Sequence, residues 1–240
     1  FKPLKDVRVR QALSMTIDRE FITKKLLRAG QVPTTAFVPS TMAGYGPPGG
    51  PLPKAYWADW SFPRRQREAG RLLAAAGFNA NHPLRIELKT ANATDSLLIA
   101  QALQADWMLI GVKVKLAQND PQIAGQAFRI RDFQVGLQSW IADFNDPINF
   151  LTLMKSGTGA QNYGDYNNPR FDALLDESDH EPDGDKRAVL MQRAEQLMLD
   201  DASVAPMYNG VNRNLVNPKI TGWVDNAVDL HRAIYLCLKH

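Results

Sequence analysis

The apolar residues near the N-terminus recur at helical spacing, in two groups that each follow an aspartate. An aspartate side chain can accept hydrogen bonds from the free amide groups of a helix's first turn, so Asp6 and Asp18 are suited to be N-caps. The second group stops at Gly30, a residue type that commonly ends helices. The pattern predicts two consecutive helices with these apolar residues: Val7, Val9, Ala12, Leu13 and Ile17, then Phe21, Ile22, Leu26 and Leu27.

Proline and glycine interrupt this order over residues 32–53, which include the run from Gly46 to Gly50. Such a composition is incompatible with a helix or a central strand, so it predicts a long irregular loop. Ser61 and Pro63 then mark the start of a helix, because serine is a common cap and proline is favoured in the first turn. Gly77 marks the end of that helix.

A strict alternation follows, in which Leu84, Ile86 and Leu88 are separated by charged residues. This is the pattern of a half-buried strand. A helix is predicted from about Thr94 to Ile110, and a second alternating strand comes directly after Gly111. Strand, helix and strand form a βαβ unit, so the pattern predicts an α/β fold. Residues 133–137 predict one further strand.

The remaining apolar residues predict three more helices. Pro147 and Pro169 begin two of them, and the third covers Asp185–Asp200. Residues 204–208 and 211–216 are predicted to be extended.

Composition narrows the class of protein. Of 240 residues, 45% are hydrophobic and 22% are charged, which is typical of a globular protein with a sizeable core. The net charge of +3 is small and its lysines and arginines are scattered, so nucleic-acid binding is not indicated. No apolar run reaches the roughly 20 residues that span a bilayer. Phe1 is not an initiator methionine and no signal segment follows it, so we expect a cut or processed N-terminus.

Signatures of catalysis and metal binding are weak. Cys237 is a single cysteine, which excludes an internal disulfide and a multi-cysteine metal site. The histidines do not form a zinc-binding motif, and no glycine-rich loop has the spacing of a nucleotide site. We therefore expect no metal, no cofactor and no catalytic residue.

Two aspartates are placed differently from the other acidic residues. Asp143 and Asp146 lie between a predicted strand and the helix that begins at Pro147, and ligands of α/β sheets bind at the carboxyl ends of strands. An aspartate there could cap a helix, act as a general base or hold a cation such as an amine. Asn162 belongs to a polar and aromatic patch further on, suited to hydrogen bonding or to an ordinary turn. The acidic residues 176–185 are expected to form a surface connection.

Several segments have recognisable motifs: PLKDVRVRQAL with IDRE at residues 3–13 and 17–20, the tryptophan-containing segment 57–60 with 64–78, WIADFNDP at 140–147, YNNP at 166–169 and VAPMY at 204–208. Taken in order, these segments resemble the oligopeptide-binding receptors of ABC importers. The resemblance covers nearly the whole chain but only about the C-terminal half of a typical family member.

This resemblance implies an α/β periplasmic-binding-protein-like lobe (class II, peptide-binding type) with a mixed sheet and flanking helices. Residues 1–210 would form the C-terminal ligand-binding lobe, and residues 211–240 a return segment packed on the N-terminal lobe. The implied protein is not an enzyme. It is the substrate-binding component of an ABC importer, in the periplasm or at the extracytoplasmic face of the membrane, where two lobes close around oligopeptides or dipeptides. Its partners would be a peptide or small-molecule ligand and the importer's membrane subunits.

The same resemblance implies a site around Asp143, whose carboxylate would pair with the α-amino group of a peptide. Trp140 and Phe144 would exclude water from that pair. Backbone groups of Ser139, Trp140 and Ile141 would bond to the peptide backbone. Ala142, Asn145 and Asn162 are expected to complete the ligand-binding set.

Departures from the family pattern leave the ligand open. Pro121, Phe128, Arg129 and Leu137 replace the tryptophan and basic residues of close relatives, and Gly210 replaces a tyrosine. Two alternatives in the same class are a receptor for another amine-bearing solute and one for a nickel chelate. An alternative of a different class is a hydrolase that uses Asp143 and Asp146.

Overall fold

The computed structural model describes residues 1–45, 51–226 and 228–239, so the glycine and proline run from Gly46 to Gly50 lies outside the described residues. The helices are α1 (Val7–Met15), α2 (Arg19–Phe21, continued as a π-helix over Ile22–Leu27), α3 (Phe62–Ala75), α4 (Thr94–Met108), α5 (Pro121–Arg129), α6 (Ile148–Leu151), α7 (Pro169–His180) and α8 (Gly184–Asp200). The strands are β1 (Val32–Pro33), β2 (Arg85–Ala91), β3 (Lys113–Asn119), β4 (Val135–Gly136), β5 (Tyr208–Asn209), β6 (Ile220–Thr221) and β7 (Cys237–Leu238). Single 3₁₀ turns cover Lys2–Lys5, Thr152–Met154, Gly159–Gln161 and Ala233–Tyr235.

Both predicted aspartate N-caps are confirmed, whereas Ser61 occupies the N-cap position of α3 without a capping hydrogen bond to its side chain. The side chain of Asp6 accepts a hydrogen bond from the amide of Arg8, and that of Asp18 accepts one from the amide of Phe21. The second helix ends earlier than Gly30, because Arg28 adopts a left-handed conformation (φ 52°) and closes the last π turn.

The predicted βαβ unit supplies two strands of a three-stranded sheet in the order β3-β2-β4, with β2 in the centre. Strand β2 pairs in parallel with both neighbours, and Leu88 lies opposite Leu116 on one side and Val135 on the other. This sheet is parallel, and the antiparallel pairs β1–β5 and β6–β7 form separate two-stranded ladders. The α/β class is confirmed, with parallel and antiparallel pairs in different sheets. Residues 211–216, predicted to be extended, belong to none of the strands.

Helix α5 was not predicted. Asp120 caps it through the amide of Gln122, and Pro121 begins it. The helix packs the ring of Phe128 against Gly136 so closely that a Cβ atom at Gly136 would lie 2.5 Å from Cε1 of Phe128. A glycine in β4 is therefore what lets α5 cover the end of the sheet.

Two clusters of buried residues stabilise the chain. One joins α1, α3 and α4 to the parallel sheet, and the other joins α6, α7 and α8 to the loop around Val38. Arg19 is buried beside the first cluster, where it donates to the carbonyl groups of Ser14, Thr34 and Pro206 and lies 5.0 Å from the ring centre of Trp57. Burial lowers the pKa of Arg19 to about 9. Arg19 of the IDRE motif thus ties the N-terminal helices to the segment 204–208.

The last thirty residues differ from the rest. Leaving aside residues 227 and 240, none of the side chains from 211 onward is buried. Several apolar residues are highly exposed there: Leu215, Val224, Leu230, Ile234, Tyr235 and Leu238. Among the residues described, no helix combines the length and apolar character needed to cross a bilayer.

Candidate functional site

Residues 139–147, here called the site segment, leave the parallel sheet at its carboxyl edge. The amide of Leu137 donates to the carbonyl of Lys89 at 3.0 Å, which is the last ladder bond between β4 and β2. The chain then turns over the end of the sheet and enters α6 at Ile148. The segment therefore lies where α/β sheets bind their ligands.

A buried asparagine fixes the shape of the site segment. Oδ1 of Asn149 accepts hydrogen bonds from Nε1 of Trp140 at 2.8 Å and from the amide of Asp143 at 3.3 Å. Asn149 itself is only 5% exposed. Two donors three residues apart thus converge on one atom, which curls the segment and holds the backbone at Asp143. Sequence reasoning missed Asn149, because hydrophobic patterning gives no signal for a buried polar side chain.

Asp146 has a structural role. Its side chain accepts from the amide of Ile148 at 2.9 Å and forms a two-pronged ion pair with Arg187 of α8, at 2.8 and 3.0 Å. A carboxylate held by a guanidinium in this way has both oxygens occupied. Asp146 is therefore not available as a general base, which weakens the hydrolase alternative.

Asp143 is the opposite case. Its side chain is exposed, and within the described part of the chain no hydrogen bond or ion pair reaches its carboxylate. On either side of it, Ile141 is 77% exposed and Phe144 is 50% exposed. The site segment thus presents a charged oxygen pair between two exposed apolar side chains.

Trp140 and Ala142 face the interior. Both are partly buried against the cluster formed by α6, α7 and α8. We expected Trp140 and Phe144 to exclude water from Asp143, but within this chain neither covers its carboxylate. Desolvation of Asp143 therefore needs something placed over this face.

The other expected ligand-binding residues divide into two kinds. Ser139 is exposed beside Trp140, and Asn145 is exposed while its Oδ1 accepts from the amide of Ala43 at 2.9 Å. Asn162 instead is 3% exposed, and its amide group closes a turn by bonding to the backbone N–H and C=O of Tyr166 at 2.9 and 2.8 Å. Its polar atoms are taken up within the chain, so we leave Asn162 out of the site proposed below.

The site is an open face rather than a pocket. Two depressions on the described surface, of about 330 and 280 Å³, are lined by residues of α7 and α8 and by residues around Arg131, and none of residues 139–147 lines either one. Across the described ranges, no group of three His, Cys, Asp or Glu side chains is placed to hold a metal ion. The site segment has one free carboxylate, that of Asp143, with exposed backbone and the apolar side chains of Ile141 and Phe144 beside it. This combination is suited to binding a cationic group.

The chain belongs to the bacterial extracellular solute-binding proteins, family 5, because the sequence model for the middle region of that family matches residues 1–162. It is 33% identical to the periplasmic murein peptide-binding protein MppA of Escherichia coli (strain K12), over 99% of this chain and 44% of the relative. The solved structure of Escherichia coli MppA has a TM-score of 0.87 to this chain and 32% identity, again over 99% of this chain and 46% of the other.

Two further matches are to proteins named OppA. The periplasmic oligopeptide-binding protein OppA of Escherichia coli (strain K12) is 34% identical over 92% of this chain and 40% of its own length. A structure of Haemophilus influenzae OppA in complex with RPPGFSPFR has a TM-score of 0.82 at 26% identity, covering 97% of this chain and 45% of the other. The chain spans less than half the length of these relatives.

Proposed function

We propose that this chain forms the amine-anchoring lobe of a receptor that captures peptides for an ABC importer. The observation that carries the proposal is the unpaired, exposed carboxylate of Asp143 on a segment fixed by Asn149 and Arg187. A free carboxylate on a rigid support is preorganised to pair with an ammonium group, because little entropy is lost on binding. The peptide-binding names of the matched relatives support the same conclusion.

The strength of this anchor depends on what covers it. An ion pair in open water contributes about 0 to 1 kcal/mol, whereas a covered and hydrogen-bonded pair is worth several times more. Ile141 and Phe144 provide apolar surface on both sides of Asp143, so a second surface closing over them would remove water from the pair. Exposed backbone near Ser139 would bond to the peptide main chain, which gives affinity independent of side-chain identity.

The covering surface is proposed to be an N-terminal lobe. Residues 1–210 form the ligand-binding lobe in this proposal, and residues 211–240 form the return segment that packs on the N-terminal lobe. The exposed apolar residues of that segment support this, since Leu215 is fully exposed and Ile234 is 77% exposed. So many exposed apolar residues in one short segment are typical of a surface that another part of a protein covers. Closure of two lobes about a hinge would then enclose the peptide.

In this proposal the protein is a binder and not an enzyme. It acts in the periplasm or at the extracytoplasmic face of the membrane and delivers its ligand to the importer's membrane subunits. The anchor mechanism needs no cofactor, since one carboxylate and one ammonium group suffice.

The ligand can be identified directly. The full-length protein is purified with no peptide added and is then denatured. The small molecules that it releases are analysed by mass spectrometry. We expect peptides with free α-amino groups. A released molecule with no amine, or cleavage of added peptides by the native protein, would contradict the proposal.

A further inference from the structure

Helix α8 carries two charged residues connected to the site segment, Arg187 directly and Glu195 through a neighbouring loop. Arg187 near its start forms the ion pair with Asp146, and Glu195 lies eight residues further along, about 12 Å away along the helix axis. Glu195 is fully buried, and sequence reasoning assigned it no role. A fully buried carboxylate requires compensating donors, so its partners identify what it does.

The donors to Glu195 come from one irregular stretch, residues 34–45, here called the proline loop. Oε1 accepts from the amides of Phe37 and Val38 at 2.5 and 3.0 Å, and Oε2 accepts from the hydroxyl group of Tyr45. No helix or strand covers residues 34–45. One side chain of α8 therefore holds this loop at two points, at residues 37–38 and at Tyr45.

The proline loop in turn contacts the site segment. Between the two points that Glu195 holds, the amide of Ala43 donates to Oδ1 of Asn145 at 2.9 Å. The ring of Phe37 packs edge-on against Phe150 of α6, with centroids 6.0 Å apart. Displacing the loop would therefore release Asn145, two residues from Asp143, and loosen the helix that follows the site segment.

We propose that Glu195 and Arg187 are positioning residues of the peptide site. Arg187 fixes the C-terminal end of the site segment directly through Asp146. Glu195 fixes it indirectly, through the proline loop and Asn145. Together they hold in place the backbone that carries Asp143. This inference rests on the proposed function, since it takes Asp143 to be the amine anchor.

Calorimetric titration of the full-length protein with the tripeptide Ala-Ala-Ala tests the inference. Glu195→Ala removes the acceptor for the loop amides and should weaken binding at least tenfold. Glu195→Gln retains a carbonyl oxygen in the same place and should bind within threefold of wild type. Arg187→Met should weaken binding at least fivefold, whereas Arg193→Met, an exposed arginine on the same helix, should have no effect.

A double variant separates positioning from general loss of stability. If Glu195 acts through Asn145, the Asn145→Ala change should add less than twofold to the loss caused by Glu195→Ala, because the connection is already broken. Asn145 is exposed, so the single Asn145→Ala variant should fold and by itself weaken binding, which tests the connection even if Glu195→Ala fails to fold.

Two results would overturn the inference in distinguishable ways. If Arg187→Met and Asn145→Ala bind like wild type while Asp143→Ala loses affinity, the anchor is correct and the positioning role is wrong. If Asp143→Ala also binds like wild type, the proposed function itself fails.

Discussion

The free energy of unfolding should fall as the pH rises from 5 to 8, because the carboxyl group of Glu195 is buried. Burial raises the pKa of Glu195 to about 7 in the folded protein. The hydrogen bonds from the amides of Val38 and Phe37 have the smaller, opposite effect on this pKa, because they favour the charged form. The ordinary value of 4.5 applies in the unfolded chain. Between these two values the folded protein holds a proton that the unfolded chain has released, so raising the pH favours unfolding.

The size of this effect follows from the pKa difference. Each pKa unit corresponds to about 1.4 kcal/mol, so the stability lost between pH 5 and pH 8 is roughly 3 kcal/mol. Burial also raises the pKa of Asp106, to about 6. The protein therefore loses further stability as the pH rises, but over a lower pH range than for Glu195. Asp106 is present both in wild type and in a variant changed only at Glu195, so its contribution cancels when the two are compared.

Urea unfolding of the full-length protein, followed by tryptophan fluorescence at pH 5, 6, 7 and 8, measures the effect. Glu195→Gln cannot ionise, so its stability relative to wild type should increase by about 3 kcal/mol from pH 5 to pH 8. Glu177→Gln, an exposed glutamate of α7, should follow wild type at every pH. A difference between Glu195→Gln and wild type that stays constant with pH would refute the reasoning.

Three further outcomes follow from the contacts described above. Asn149→Ala should lower the unfolding free energy by about 2 to 4 kcal/mol, because two hydrogen-bond donors lose their acceptor; unchanged urea midpoints would contradict this. Gly136→Ala should destabilise by about 1 to 3 kcal/mol through overlap with Phe128, whereas Gly125→Ala, which has open space in a helix, should be neutral or stabilising by up to about 1 kcal/mol. Equal melting temperatures for the two glycine variants would count against the packing described for β4. The isolated 240-residue chain should bind Ala-Ala-Ala more weakly than about 100 μM and elute as an oligomer in size-exclusion chromatography, and a monomeric chain with submicromolar affinity would disprove the two-lobe proposal.

Local signals in the sequence predicted most of the regular structure. The caps at Asp6 and Asp18 and the βαβ unit were confirmed because capping and alternation depend on neighbours within a few residues. Helix α5 escaped prediction, since its buried face consists of Ala124, Ala127 and Phe128 and its middle residue is a glycine. Alanine and glycine carry little periodic signal.

The candidate site was predictable only in part. The motif around Asp143 located the segment, but its supports Asn149, Arg187 and Glu195 lie 6 to 52 residues away and act through tertiary contacts. Residue type and spacing alone do not separate Asp143 from Asp146, and only the family resemblance singled out Asp143. The fold separates them by pairing one with arginine and leaving the other exposed.

The central claim is that Asp143 binds the α-amino group of a peptide, and a two-by-two titration tests it most directly. Wild type and Asp143→Ala, both full-length, are titrated with Ala-Ala-Ala and with its N-acetylated form. Acetylation should weaken binding to wild type by about 30-fold to several-thousand-fold, the cost of breaking a covered charge pair. The variant should bind the free peptide as weakly as wild type binds the acetylated one, with less than a threefold difference between its two titrations. Wild type that binds both forms alike, or a variant that still discriminates between them, would contradict the account.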